Sequence, residues 1–340
     1  MTAQAHTHPI RTVGSWLGQV FGKIWNAIVL VFDVFFAMLQ NRLGIRRMPY
    51  VFVLPNLLIF GIFILFPMLL NFFYSFTGGI EFFPADRPWV GTANFEQLLD
   101  CQNFLDPNSC REDLFWRSIF NTIGYVVAQV SLMVVFSLIT ALALNRKIRG
   151  RAFFRSVYFY PVLLSPIVVA LIWKWILQEN GLLNGIITGL GGDKMPFMVD
   201  ATWARFWVVM ISVWAFMGFY TLILLAGLQA IPSDVYEAAD MDGANNWQTF
   251  WKITLPLLMP NMVVVLVLSL IRAVQVFDLV FAFTGGGPGS ATRFIVQFIY
   301  DNGFSSAVKR YGIAASASLL MAGTLVILTL IQLRFNREEA

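Results

Sequence analysis

"YEAADMDGANNWQTFWKITLP", Tyr236 to Pro256, is a polar, helix-forming, glycine-broken stretch set between two long apolar runs. Ser233 can cap a helix through Asp234 to Met241, and Gly243 offers the left-handed conformation that ends it. Asn245 or Asn246 can cap a second helix that stops before Pro256. The product is a helical hairpin standing in water. On its second arm Trp247, Phe250 and Trp251 recur at i, i+3 and i+4, while Ala238 and Ala239 leave the first arm a flat face that permits close approach. An apolar, aromatic projection of this kind invites a protein partner; a membrane-interface hairpin with no partner is the alternative.

The flanking sequence places that hairpin on a membrane. The chain has 340 residues, of which 58% are hydrophobic and 12% charged, and its mean hydropathy is +0.70. A soluble domain carries about 45 to 50% apolar residues, so the composition specifies an integral membrane protein, and its long apolar runs, read as helices, make it all-α. The 33 Phe and 11 Trp suit lipid-facing and interfacial positions. The net charge of +4 is better read by location than by total, and nucleic acid is not implied as a partner.

A bilayer core takes about 20 apolar residues per helix, and six runs are long enough. They lie near Tyr50 to Phe76, Ile119 to Leu144, Phe153 to Leu177, Phe206 to Leu228, Leu257 to Phe283 and Tyr311 to Leu333. The loop "NRKIRGRAFFR", Asn145 to Arg155, has five basic and no acidic residues, which assigns it to the cytoplasm. Alternation then puts Asn41 to Met48, the hairpin and the "RFNREEA" tail on that same side, with both termini cytoplasmic. The acidic loop Gly78 to Arg117 falls outside. It holds both cysteines, Cys101 and Cys110, around the turn-forming Asp106-Pro107-Asn108, so a disulfide and two separate thiols are both open.

The stretch from Val13 to Gln40 is short for a span and contains Asp33. At about 100° per residue, Ser15, Gln19, Gly22, Asn26, Asp33 and Gln40 share one stripe with Lys23 at its edge, as in an amphipathic helix lying in the interface. A seventh span is the alternative. The domain plan is therefore a tail and interfacial helix over residues 1–49 and a transmembrane domain over 50–340, with the hairpin at 232–256.

The order Glu237-Ala238-Ala239, three residues, Gly243, nine residues, Ile253-Thr254-Leu255-Pro256 resembles the EAA loop of permease subunits in ABC importers. The resemblance extends through Gly218 to Ala244 and includes Tyr158 to Leu177; "FDLVFAFTGGGPGSAT", Phe277 to Thr292, is similar to the sugar-permease subunits related to the larger maltose permease subunit. The family resembled is that of the binding-protein-dependent carbohydrate-importer permeases of the bacterial inner membrane. The resemblance implies six core helices and an ATPase-coupling set comprising Glu237, Ala238, Ala239, Asp242, Gly243, Ile253, Leu255 and Pro256. It also implies a second homologous permease subunit, a cytoplasmic ATPase dimer that holds ATP and magnesium, an extracytoplasmic solute-binding protein and a solute of the sugar class. An importer of a non-carbohydrate solute is the alternative.

The residues agree with that division of labour. The chain has no G-x-x-x-x-G-K-[ST] phosphate loop, and no cofactor is expected in it. The Gly-rich stretch after the fifth run lacks the following Lys and reads as a tight turn. His6 and His8 lie in the polar N-terminal tail, so neither a metal site nor a catalytic triad can be built from them. An intramembrane enzyme lacks a converging set of catalytic groups, and a passive channel leaves the hairpin idle. For the solute path, Arg272, Gln275 and Asp278 climb the fifth run at steps of three, and Asn261, Trp214, Tyr220 and Tyr160 are further candidates by residue type. Lys174, near a helix end, is expected to snorkel to the interface.

Overall fold

Lipid offers no partner to a backbone N–H or C=O, so apolar runs of this length can cross it only as helices or in a closed barrel. The computed structural model describes residues 22–337 apart from 24, 27, 28, 31, 32, 35, 43, 147 and 148, and it is almost wholly helical. His6, His8, Ser15 and Gln19 lie outside the described residues, whereas Gly22, Lys23, Asn26, Asp33 and Gln40 are helical. By internal contacts the chain divides between Leu70 and Asn71 into two units. In the first, the Phe36 and Phe52 rings stack with centroids 5.0 Å apart.

Among the described residues five helices are long and apolar enough to cross a membrane, or six if one sharply bent pair counts as a span. They are α1 (Ile45–Ser75), α3 (Asp113–Asn145), α7 (Ala201–Ala230), α9 (Asn246–Val274) and α12 (Tyr311–Arg337). Between them lie α2 (Ala93–Leu99), α4 (Arg151–Phe159), α5 (Pro166–Leu177), α6 (Leu182–Gly189), α8 (Ser233–Met241), α10 (Asp278–Phe283) and α11 (Ile295–Tyr300).

Two apolar runs that read as straight spans are broken. The run from Phe153 to Leu177 bends by 98° between Leu163 and Pro166. Leu164 and Ser165 there are extended, as the clash of a proline ring with its predecessor requires before Pro166. The run from Leu257 to Phe283 stops helical geometry at Val274; Gln275 and Val276 close a turn with N–H bonds to Ile271 and Ala273, and a separate helix begins at Asp278. Hydropathy is blind to both breaks because the apolar composition continues through them.

The core forms around α7. In its apolar window 61% of residues are buried, against 22% in those of α3 and α9 and 28% in that of α12. Val208, Ile211, Leu224 and Leu228 of α7 meet Met133 and Ala141 of α3, Val169 and Leu177 of α5, Leu258 and Val265 of α9, and Leu279 and Phe283 of α10. Contact is closest at Gly218, where an added Cβ would overlap the Tyr158 carbonyl oxygen and come within 2.9 Å of the Phe159 Cα.

The end carrying the Gly78–Arg117 loop is tied by polar groups. Arg87 donates from Nε to Thr77 Oγ1 (2.8 Å) and from its other nitrogens to the Glu81 and Thr77 carbonyls, and it lies over the Tyr74 and Tyr311 rings. Burial lowers its pKa, opposed by Tyr74, Tyr311 and Glu81, a perturbation that leaves a guanidinium charged. Arg310 pairs with Glu112, which also accepts from Gln97. Cys101 and Cys110 are joined by a disulfide with Cα atoms 4.0 Å apart. Near the same end Asp301 faces Arg293 at 3.6 Å, and burial raises the carboxyl pKa against that partner.

The close approach at Gly218 gives a direct test. Gly218→Ala should destabilise the protein by about 1–3 kcal/mol through overpacking, read as a lower Tm in detergent. Gly124→Ala, on the open face of α3 where a Cβ meets nothing, should be neutral or gain up to about 1 kcal/mol. Equal shifts would show that α7 does not approach the Tyr158–Phe159 backbone this closely.

Candidate functional site

The hairpin begins where α7 ends. Pro232 occupies the N-cap position of α8, and Ser233 is the first helical residue instead of the cap; its hydroxyl turns to the Asp234 carboxylate at 3.4 Å. The C-terminus of α8 closes as a Schellman motif: Ala244 N–H bonds to Ala239 O (2.9 Å) and Gly243 N–H to Asp240 O (3.1 Å). Gly243 sits at φ 71°, the left-handed conformation this closure needs. Asn245 and Gln248 then form a reciprocal capping box, the Gln248 N–H reaching Asn245 Oδ1 at 2.9 Å and the Asn245 N–H reaching Gln248 Oε1 at 3.0 Å.

The second arm does not stop before Pro256. It passes through a π-helical turn, Phe250–Thr254, in which the Leu255 N–H bonds to Phe250 O, and runs on as α9. Widening the turn just ahead of Pro256 relieves the clash of its ring with the carbonyl four residues back. Hairpin arm and spanning helix are thus one element. The Tyr236 and Thr254 hydroxyls, 3.3 Å apart, join the two arms.

The hairpin residues divide into two sets. Glu237, Ala238, Asp242, Gly243 and Pro256 are exposed, and Ile253 and Leu255 are half-buried. Ala239 is 6% exposed and packs within the chain, so the flat face of the first arm is partly used internally. Met241 at 88% and Trp247 at 70% are the most open apolar groups of the hairpin, and Trp247 packs edge-on against Trp251.

A cavity of about 580 Å³ lies within the bundle. Arg272, Gln275, Asp278 and Tyr220 all line it, although only Arg272 lies within α9; Gln275 caps that helix and Asp278 opens α10. The Arg272 guanidinium stands 4.0 Å above the Phe216 ring and interacts with the Tyr220 hydroxyl. Among the described residues it has no carboxylate partner. Val162 and Pro166 line the cavity from the other helix break.

Asn261, Trp214 and Tyr160 are not among the residues that line the cavity. Asn261 packs against α7, where a Cβ on Gly227 would come within 2.6 Å of its amide oxygen. Trp214 sets its ring edge-on to Trp173 at 5.6 Å. Tyr160 is 60% exposed beside the bend. Sequence reasoning overlooked Tyr125 and Gln129 of α3 and Phe216 and Phe219 of α7, which complete the lining. Gln129 carried a usable signal: it is a polar residue amid an apolar run, and its Oε1 is buried with no partner among the described residues.

The Gly-rich stretch forms a hydrogen-bonded turn, with Gly285, Gly286 and Gly289 at positive φ. Thr292 Oγ1 donates to Gly287 O at 2.7 Å, and Gln297 Nε2 to Gly285 O at 2.8 Å.

Residues 133–338 match the family described as "Binding-protein-dependent transport system inner membrane component". The trehalose/maltose transport system permease protein of Thermococcus litoralis is 36% identical over 304 residues, covering 88% of this chain and 97% of that one. The multiple sugar-binding transport system permease protein of Streptococcus mutans is 30% identical over 291 residues, covering 85% of this chain and 95% of that one. The crystal structure of a bacterial ABC transporter involved in the import of the acidic polysaccharide alginate shares the fold, with a TM-score of 0.74 at 24% identity over 88% of this chain and 99% of that chain. On the family match and the length of these two sequence relationships, the chain belongs to the family of binding-protein-dependent transport system inner membrane components.

Proposed function

We propose that the chain is one permease subunit of an ATP-driven importer for a sugar, polyol or sugar phosphate, forming half of the translocation pathway. Its partners are a second homologous permease, a cytoplasmic ATPase dimer that binds ATP and magnesium, and an extracytoplasmic binding protein that delivers the solute. The chain sits in the cell's inner membrane with both termini cytoplasmic. The observation that carries this reading is the hairpin. A closed Schellman turn and a capping box hold Glu237, Asp242, Gly243 and Trp247 open to water at the head of a spanning helix whose far end lines the cavity.

The cavity supports the solute class. Tyr125, Tyr220, Phe216 and Phe219 supply aromatic faces, and Gln129, Gln275, Arg272 and Asp278 supply donors and acceptors, the combination that a ring bearing hydroxyls can use. The supporting relatives are those named for trehalose/maltose and multiple-sugar transport.

The coupling role is tested at Gly243. A Cβ there meets no neighbour, so Gly243→Ala should cost only the left-handed strain, about 1–2 kcal/mol. Gly243→Phe adds bulk to the exposed face and should abolish ATP-driven uptake by the assembled transporter while membrane insertion and solute affinity of the binding protein persist. Wild-type uptake by Gly243→Phe would remove the hairpin from coupling.

For the pathway, Gln129→Ala and Arg272→Ala should each lower maximal uptake about tenfold, the worth of a lost hydrogen bond to a charged or polar solute group. Tyr160→Phe, outside the cavity, should leave it unchanged. Orientation is checked by single-cysteine labelling in a background lacking Cys101 and Cys110. Sites in the Gly78–Arg117 loop should react in intact cells, and sites in Asn145–Arg155 only after permeabilisation. The reverse pattern overturns the topology.

A further inference from the structure

Two arginines converge at the opposite end of the bundle from the disulfide loop, in a place the transport cavity does not reach. Arg151 and Arg155 lie one turn apart on α4, and both are half-buried against α7. The Gln229 amide meets them there. Hydrogen bonding fixes its orientation, because only with the oxygen facing the guanidiniums does the contact pair donors with an acceptor. In that orientation Gln229 Oε1 accepts from Arg151 and from Arg155, each at 2.6 Å.

The arrangement is short of negative charge. Two cations share one neutral amide oxygen, and no carboxylate is paired with either among the described residues. The Nε atoms of both are buried and have no partner among the described residues. Gln229 is the penultimate residue of α7, so the negative end of that helix dipole contributes about half a charge against two. Like charges brought together in this way call for an anion with several acceptor oxygens, since each guanidinium presents its donors as a fork.

The neighbours suggest the kind of anion. Arg146 and Arg149 precede the pair in the basic loop, and Phe153 and Phe154, 67% and 43% exposed, flank it on α4 as aromatic residues do at a membrane surface. Basic clusters at the boundary of an apolar bundle attract phosphate headgroups. We propose that Arg151, Arg155 and Gln229 form a binding site for a phosphate-bearing anion, supplied by an anionic phospholipid or by soluble phosphate. Gln229 lies three residues before Pro232, where the hairpin starts. An occupied site therefore holds α4 to the root of the hairpin, a consequence for coupling that rests on the proposed function, although the binding itself does not.

The test uses the full-length chain in nanodiscs of phosphatidylcholine alone, of phosphatidylcholine with phosphatidylglycerol, or of phosphatidylcholine with inorganic phosphate in the buffer at matched ionic strength. Readouts are the Tm and the phosphatidylglycerol retained in native mass spectrometry. A rise in Tm with phosphatidylglycerol and retention of that lipid identifies the lipid source; a rise with inorganic phosphate alone identifies the soluble one. Arg151→Gln/Arg155→Gln should lose more than half of the rise. Arg146→Gln/Arg149→Gln, which removes the same charge from the adjoining loop, should keep it. Gln229→Glu places a carboxylate where the amide oxygen lies, so it should raise the Tm in phosphatidylcholine alone and make the chain insensitive to either anion. This variant carries the test if the double arginine variant fails to fold. The proposal is overturned if wild type gains nothing from either anion, or if both double variants lose the rise equally. It is also overturned if Gln229→Glu lowers the Tm and keeps the rise, as for a pair awaiting a partner protein's carboxylate. Both faces of a nanodisc are accessible, so an inverted topology changes the cysteine labelling and not this result.

Discussion

Leaving helical geometry within a bilayer strands backbone groups that lipid cannot bond, and such breaks survive only where protein or a water-filled cavity covers them. This chain breaks twice within apolar sequence, at Leu164–Ser165 and at Gln275–Phe277. Val162 and Pro166 from one break and Gln275 to Phe277 from the other line the same cavity. The straight helix α7 makes this possible. Its burial on several sides gives both broken segments a wall, and Gly218 lets the backbone at Tyr158 and Phe159 approach that wall without a side chain between. Broken helices facing a polar cavity supply capped and open backbone ends as well as side chains, which is how transporters build a site without a large cost in unsatisfied groups.

Sequence reading succeeded where the signal was local or compositional. The hairpin's left-handed Gly243 and the Asn245 cap were legible because capping chemistry depends on a few adjacent residues. The spans were legible as apolar lengths. The breaks were not, because Pro166 and Gln275 sit inside composition that remains apolar on both sides. The i, i+3, i+6 stripe of Arg272, Gln275 and Asp278 led to one cavity even though its premise, a single helix, does not hold: the turn after Val274 keeps all three facing inward. Trp214 and Asn261 show the limit of judging by residue type alone, since an aromatic ring or an amide in a span serves a neighbouring helix as readily as a solute. Ala239, grouped by motif with exposed neighbours, is itself buried, and its carbonyl accepts the Ala244 N–H that closes the first arm.

The two prolines that follow π-helical turns share one logic. In α1 the turn Gly61–Leu65, closed by the Phe66 N–H on Gly61 O, precedes Pro67; in α9 the turn Phe250–Thr254, closed by the Leu255 N–H on Phe250 O, precedes Pro256. In each case the proline stands two residues beyond the turn. The wide turn comes just ahead of the residue that lacks a donor, so the helix continues instead of ending. Proline at these positions leaves the element whole.

Because α9 is whole from Asn246 to Val274, one unbroken rod joins the hairpin to the cavity. At 1.5 Å per residue, Trp247 and Arg272 are separated by roughly 38 Å along the axis. A tilt of about 10° around a fulcrum at one end therefore displaces the other by roughly 6 to 7 Å, more than the width of a water molecule and comparable to a sugar ring. The wide turn and Pro256 lie close to the hairpin end, so the long arm reaches toward the cavity. On the proposed coupling role, a small angular displacement imposed on the hairpin would be magnified into a change in the cavity's bore, with no need for a relay of side chains between them.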